Sequence, residues 1–378
     1  MIGAVLSISV GAQDRDTIPL ATPDKSSVKE LKSTQGPLNP AVDADAPRNL
    51  KVYLAGVETY GSKRINEQIL RQFLGKDLEE WLRKGLEFDP TTLQTEALLA
   101  ERVRAHFNFQ SARWSIFQYE EEDGMAVHLT LDVVEKQDVA KRENFLPEPT
   151  QEFTDPDNLI KSMREYVDTA LDLIDAGEID ADAEDCAAFS CPYGHKHLKL
   201  KKYESLFVQG VKKNASQLEN IFNFDKRPEY RSAAAFILPY LKDGKKVVNL
   251  MVSRIKDPDV TVRNNVLRVL SEIAELHQSL VIPYKPVLEA MSFARVSDRS
   301  RAVYIAYLMS MNSQAVRETL LKNYIPTLIE IMSSNQPDHR DLAHLVLQKI
   351  SGRRFAASDV NAWSKWYARL PAQSGSKK

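Results

Sequence analysis

The strongest pattern of apolar and polar positions lies in the second half of the chain. With Arg231, Arg263, Arg301 and Arg340 placed in one column, the residue three further on is Ala234, Val266, Tyr304 or Ala343. Seven further on stand Leu238, Leu270, Leu308 and Leu347, and ten further on Leu241, Ile273, Met311 and Ile350. Offsets of three, seven and ten follow one face of a 3.6-residue helix, so each copy predicts a helix carrying the same apolar stripe. The arginines are 32, 38 and 39 residues apart (263 − 231, 301 − 263, 340 − 301). Periods of this length predict helix pairs that bury their stripes only by stacking on neighbours. The predicted pairs are 229–241 with 245–255, 260–276 with 286–293, 300–309 with 316–332, and 340–350 with 360–370. Helices at 198–210 and 217–224 precede them as a cap. Pro239 and Pro326 fall inside predicted helices and imply kinks there.

The first half reads differently. A short β-prone run at 50–54 ends in Leu54-Ala55-Gly56, read as a turn, and a helix with Ile65, Ile69, Leu70 and Phe73 on one side is predicted over 62–74. A second helix covers 91–107, and 75–88, which contains Trp81, is read as the connection between the two. A strand at 112–119, a turn at 121–124 and the alternation of Val127, Leu129, Leu131 and Val133 with more polar neighbours predict a hairpin with one buried face. The order is β-α-α-β-β, a small α+β domain in which two helices cover a three-stranded sheet.

Flanking segments complete the division. Residues 1–12 are apolar and end in Val10-Gly11-Ala12, like a secretory signal that lacks its basic start, and 13–47 holds five prolines without apolar periodicity, a disordered linker. Residues 138–197 are read as a linker with an acidic helix and a cysteine pair, and 371–378 as a disordered tail. The acidic stretch 155–185 has eleven Asp and Glu, with Met163, Tyr166, Val167, Ala170, Leu171 and Ile174 at helical spacing. Its run Asp180, Asp182, Glu184 and Asp185 lacks the glycine-centred loop of a calcium hand and is read as solvated or partner-facing.

At 378 residues with 43% hydrophobic positions, the chain has the length and apolar content for more than one core. The net charge of −2 conceals a split: residues 1–194 have 20 Lys and Arg against 36 Asp and Glu, and residues 195–378 have 30 against 16. Either the halves face one another or the basic half meets an anionic partner. Lys245, Lys246, Arg254, Arg268, Arg295, Arg299, Arg353 and Arg354 are the basic-surface candidates. No segment approaches the ~20 apolar residues of a membrane helix.

Candidate chemistry is sparse. Cys186, Cys191, His195 and His197 fall within twelve positions. A local disulfide is the first reading. The alternatives are a zinc set of these four, whose spacing matches no common zinc motif, and free thiols. The sequence has no G-x-S-x-G, phosphate-binding glycine loop, H-E-x-x-H or dinucleotide fingerprint, so no catalytic residue and no cofactor are assigned.

Two resemblances follow. The β-α-α-β-β order, Leu54-Ala55-Gly56 and the closing Val127 to Lys136 of 48–137 resemble a POTRA domain. This implies a bacterial periplasmic module beside outer-membrane barrels that binds polypeptide by adding a strand to its sheet edge. Asp257-Pro-Asp-Val-Thr-Val-Arg263 resembles the inter-helix turn of HEAT repeats, which implies an all-α HEAT-like solenoid over 198–370. In that family an aspartate and an arginine recur and pair from unit to unit, so the resemblance implies a ladder of Arg231, Asp259, Arg263, Asp298, Arg301, Asp338 and Arg340. Together these readings point to a non-enzymatic scaffold of the bacterial envelope with protein partners among its assembly components. A cytoplasmic nucleic-acid binder gripping phosphates with the basic helical face ranks second.

Overall fold

The computed structural model describes residues 52–86, 91–121, 124–179 and 186–370. The signal expected at 1–12, the linker at 13–47, the acidic run 180–185 and the tail 371–378 lie outside the described residues. The chain divides into two compact units: residues up to Thr59 with Arg64–Arg102 and Arg113–Leu131, and Tyr60–Lys63 with Val103–Ala112 and everything from Asp132 on.

Strands β1 (Val52–Tyr60), β2 (Ser111–Glu121) and β3 (Gly124–Val134) form one sheet in the order β1-β3-β2, most of it in the first unit, with Tyr60, Ser111–Ala112 and Asp132–Val134 grouped in the second. The central place of β3 explains its burial. Val127, Leu129, Leu131 and Val133 are buried as their alternation predicts, and so are Ala126, Thr130, Asp132 and Val134 on the opposite parity. Thr130 is satisfied by donating its hydroxyl to the Glu58 carboxylate across the sheet, 2.8 Å.

β1 runs past Leu54-Ala55-Gly56, so that tripeptide is strand and not turn. The chain turns at Gly61 instead. There φ is +99°, and a side-chain carbon would sit 2.1 Å from the Val133 carbonyl oxygen, a place only glycine can take.

Three helices, not two, follow β1. Helix α1 (Glu67–Leu74) starts at Asn66, whose side chain accepts from the Ile69 amide at 3.0 Å, four residues later than the pattern suggested. Helix α2 (Lys76–Leu86) occupies the supposed connection. It carries acids in its first turn and Arg83 and Lys84 in its last, in keeping with the helix dipole, and it buries Leu78 and Trp81. The Trp81 ring meets that of Trp114 on β2 at 5.2 Å. Helix α3 (Thr92–Phe107) is as predicted to within a residue.

In the second unit a short helix α4 (Val139–Arg142) precedes α5 (Leu159–Asp175). Helix α5 buries Leu159, Ile160, Met163, Tyr166, Ala170 and Leu173, and packs on the next two helices, α6 (Leu198–Phe224) and α7 (Pro228–Ile237). Glu165, Asp168, Asp172 and Asp175 remain exposed. The acidic helix therefore sits on its neighbours by its apolar face, with its charge outward. The close approach of α5 and α6 requires Gly210, where an added carbon would meet Leu159 Cδ2 at 2.3 Å.

The remaining helices are α8 (Gly244–Ser253), α9 (Val260–Leu276), α10 (Tyr284–Ala290), α11 (Val296–Asn312), α12 (Gln314–Asn323), α13 (Ile325–Met332), α14 (Pro337–Ser351) and α15 (Val360–Ala368). The helices that begin the four predicted pairs pack in a row, α7 on α9, α9 on α11 and α11 on α14. Both predicted kinks are breaks. Pro239 lies in a 3-10 turn, Leu238–Tyr240, that ends α7, and Pro326 falls in the first turn of α13, where its missing N–H costs nothing, so 316–332 splits into two helices. The two cap helices are one, α6, irregular only at Asn214.

Helix α9 has the predicted limits because Asp259 fixes its start: one carboxylate oxygen accepts from the Thr261 and Val262 amides at 2.9 and 3.1 Å. Asp259→Ala is expected to lower the unfolding free energy by about 1 kcal/mol, read from the urea midpoint. An unchanged midpoint would show the cap to be dispensable.

Candidate functional site

The recurring arginines are internal. Arg231 lies on α7 with no exposed surface, and its Nε and Nη2 donate to the two oxygens of Asp257 at 3.0 and 2.7 Å while Nη1 donates to the Asp225 carbonyl at 2.8 Å. Arg263 on α9 repeats the arrangement. Its Nη1 donates to the Asp257 and Pro258 carbonyls at 2.8 and 2.9 Å, its Nε to Asp298 at 2.9 Å, and its guanidinium lies 3.9 Å from the Phe145 ring centre. Each arginine thus holds the backbone of the turn before its own helix and a carboxylate from the next helix pair. Buried charges need both kinds of partner to offset desolvation. Asp257 also accepts from Arg254 and from the Asp259 amide. Burial pushes the Asp298 carboxyl up, with Arg263 opposing it.

This corrects the expected ladder. Asp257, not Asp259, is the pairing acid, because Asp259 is spent on the helix start. Farther along the row, Arg301 donates to the Asn264 side chain at 2.8 Å, and Arg340 to its neighbour Asp341 at 2.9 Å. The side chain of Asp338 is outside the described residues. Burial pushes the Arg301 guanidinium down to about 9, with Arg268 adding like-charge repulsion.

Three of the eight basic-surface candidates are not at the surface either. Arg254 is held by Asp257. Arg268 donates to Glu272 at 3.3 Å and to the Pro192 carbonyl, and lies over the Tyr193 ring. Arg299 pairs with Asp132 at 2.7 Å and stacks 3.6 Å from the Tyr60 ring centre. Their charge is consumed internally, so the sequence count overstates the positive surface. Lys245, Lys246, Arg353 and Arg354 are exposed and Arg295 is half-buried. Lys245 and Lys246 line a surface groove of about 410 Å³ with Asn223, Asp243 and Asn249, where Lys246 pairs with Glu219 at 2.5 Å.

Cys186 and Cys191 stand at disulfide distance, 2.09 Å between sulfurs. The four candidate zinc ligands do not converge, and among the described residues no group of three or more His, Cys, Asp or Glu is placed to hold a metal. His197 starts α6, where its ring nitrogen accepts from the Lys199 amide, and its other nitrogen lies 3.3 Å from Glu178. His195 is buried and bonded to Tyr240 and to the Leu200 carbonyl. Tyr240, Tyr166 and Tyr193 cluster with it, a grouping that sequence reasoning passed over because a tyrosine in an apolar helical run gives no signal of its own. No protein-family model matches this chain, and no curated protein matches it. No helix among the described residues is long and apolar enough to cross a membrane.

Proposed function

We propose that the chain is a non-enzymatic polypeptide-binding scaffold of the bacterial envelope, with a POTRA-like α+β unit and a HEAT-like helical unit. The observation that carries the reading is the sheet edge. With β3 in the centre, β1 has only one neighbouring strand among the described residues. It is nine residues long and holds neither proline nor lysine, the residues that usually protect an edge from pairing with another chain. Its one charged residue, Glu58, is engaged with Thr130. Such an edge suits an extended peptide added as a fourth strand, main-chain bonds giving affinity and alternate side chains giving selectivity. The paired cysteines agree with an oxidising compartment. Nucleic acid is the weaker partner class, since Arg254, Arg263, Arg268, Arg299 and Arg301 are all buried and engaged.

Titrating the full-length protein with extended peptides of alternating apolar and polar residues tests the reading. Of the adjacent substitutions Ala55→Pro and Gly56→Pro, one removes an amide that bonds β3 and the other an amide that points outward. The outward one is expected to leave the melting temperature unchanged and to weaken peptide binding about tenfold, the worth of one or two backbone hydrogen bonds. Binding that survives both substitutions would sink the strand-addition reading. A DNA mobility shift at low salt that fades steeply as salt rises would favour the nucleic-acid reading instead.

A further inference from the structure

The disulfide opens a segment that is fastened at almost every residue after it. The Phe189 amide donates to the Pro239 carbonyl at 3.1 Å, Ser190 donates to Glu272 at 2.6 Å, and the Pro192 carbonyl accepts from Arg268. The Tyr193 amide and the Gly194 carbonyl both bond the Tyr166 hydroxyl on α5, at 3.2 and 2.8 Å. The segment is therefore a strap across α5, the turn that ends α7, and α9. The two sulfurs at its start sit in opposite environments. Cys186 is exposed, whereas Cys191 is 1% exposed and lies 3.5 Å from the Tyr240 hydroxyl.

With His195 as a neutral imidazole, the protons behind Cys191 have one consistent arrangement. A backbone carbonyl can only accept, so His195 Nδ1, which faces the Leu200 carbonyl at 3.3 Å, carries the ring proton. His195 Nε2 is then bare and accepts from the Tyr240 hydroxyl. This leaves the Tyr240 oxygen with acceptor capacity toward the sulfur beside it. Burial pushes the Tyr240 hydroxyl well up, with Glu204 and Glu272 adding to it, so it remains a neutral O–H throughout the working pH range.

We propose that Cys186 is a modification site for a thiol ligand, joined by exchange with the Cys186–Cys191 disulfide. The incoming thiolate attacks the exposed Cys186 sulfur in line with the S–S bond. A new S–S bond forms to Cys186, the Cys186–Cys191 bond breaks, and the electron pair leaves on Cys191. The proton lost by the incoming thiol ends on the Cys191 sulfur, so atoms and electrons balance without a further oxidant. The Cys191 thiol then donates to Tyr240, Tyr240 to His195, and His195 to the Leu200 carbonyl, so the buried leaving group is satisfied as a neutral thiol. The reverse step, attack by Cys191 on the mixed disulfide, releases the ligand. Ser190, Pro192 and Tyr193 stay pinned throughout, so the helices keep their places while Cys186 carries the adduct.

The test is to incubate the folded full-length protein with reduced glutathione, without denaturant, then quench with acid and map the adduct by mass spectrometry. The expected result is glutathione on Cys186 in at least about tenfold excess over Cys191, with an unchanged circular dichroism spectrum. Adduct shared equally, adduct mainly on Cys191, or none short of denaturant would overturn the proposal. In single-cysteine variants, Cys186 of Cys191→Ser is expected to react with iodoacetamide at least about 100-fold faster than Cys191 of Cys186→Ser. Equal rates would overturn it. Tyr240→Phe is expected to shift the exchange against the mixed disulfide about tenfold by stranding the buried thiol, and an unshifted exchange in a folded variant would remove Tyr240 from the mechanism. These outcomes are independent of peptide binding at β1.

Discussion

Replacing Asp257 with alanine is expected to lower the unfolding free energy of the helical unit by about 3–5 kcal/mol, the cost of removing one side of a buried ion pair. Asp257 has no exposed surface and serves Arg231, Arg254 and the Asp259 amide together. Its loss leaves two guanidinium groups, 0% and 7% exposed, without a carboxylate, and removes the support of the turn that starts α9. The attraction lost is the smaller part, because the larger part is leaving positive charge in a place water does not reach. Replacing Arg231 and Arg254 by methionine along with Asp257→Leu is therefore expected to recover most of the stability, since no charge is then stranded. Urea unfolding followed by helical circular dichroism measures both. A loss below about 1 kcal/mol for Asp257→Ala would mean that water reaches the pair and it behaves as a surface ion pair.

Trp81→Ala is expected to cost the α+β unit about 3–5 kcal/mol, as large-to-small changes of fully buried aromatics do. Trp81 is 1% exposed, anchors α2 and rests against Trp114, itself 2% exposed. Trp81→Phe keeps most of the apolar contact and is expected to cost less than half as much. Unfolding followed by tryptophan emission tests this through Trp114, which should emit at longer wavelength in the folded alanine variant as its packed face opens. An unshifted spectrum with unchanged stability would show that α2 docks without its tryptophan.

What could be read in advance divides along physical lines. The helices of the second half were legible because their apolar stripes repeat at fixed offsets, and the limits of α9 agree to the residue. The carbonyls that the arginines hold had a signal that went unread: Arg231 and Arg263 are each preceded by an aspartate six positions earlier, Asp225 and Asp257, and Asp257 is also the acid that pairs with Arg231. Helix α2 was missed because Gly75 and the flanking charges look like a connection, while its apolar contacts, Leu78 and Trp81, are too few to set a period. The glycine at 56 suggested a turn because glycine breaks strands on average; here it stands beside His128 with room to spare, and the turn is five residues later. Burial of the arginines was the least legible feature. A guanidinium in the sequence counts as surface charge until its carboxylate is located, and Asp132 and Asp298 lie 167 and 35 positions from Arg299 and Arg263 (299 − 132, 298 − 263).

The two-handed grip of Arg231 and Arg263 gives the row of helices a direction. Each holds its own unit by a backbone carbonyl and reaches forward for the carboxylate of the next. Deleting the 32 residues from 231 to 262 (263 − 231) would place Arg263 six positions after Asp225, so its guanidinium would keep a carbonyl acceptor behind it at the same offset and Asp298 ahead of it. Removal of one whole module in this region is therefore expected to be tolerated better than removal of part of one, because only the whole module restores both partners of the arginine.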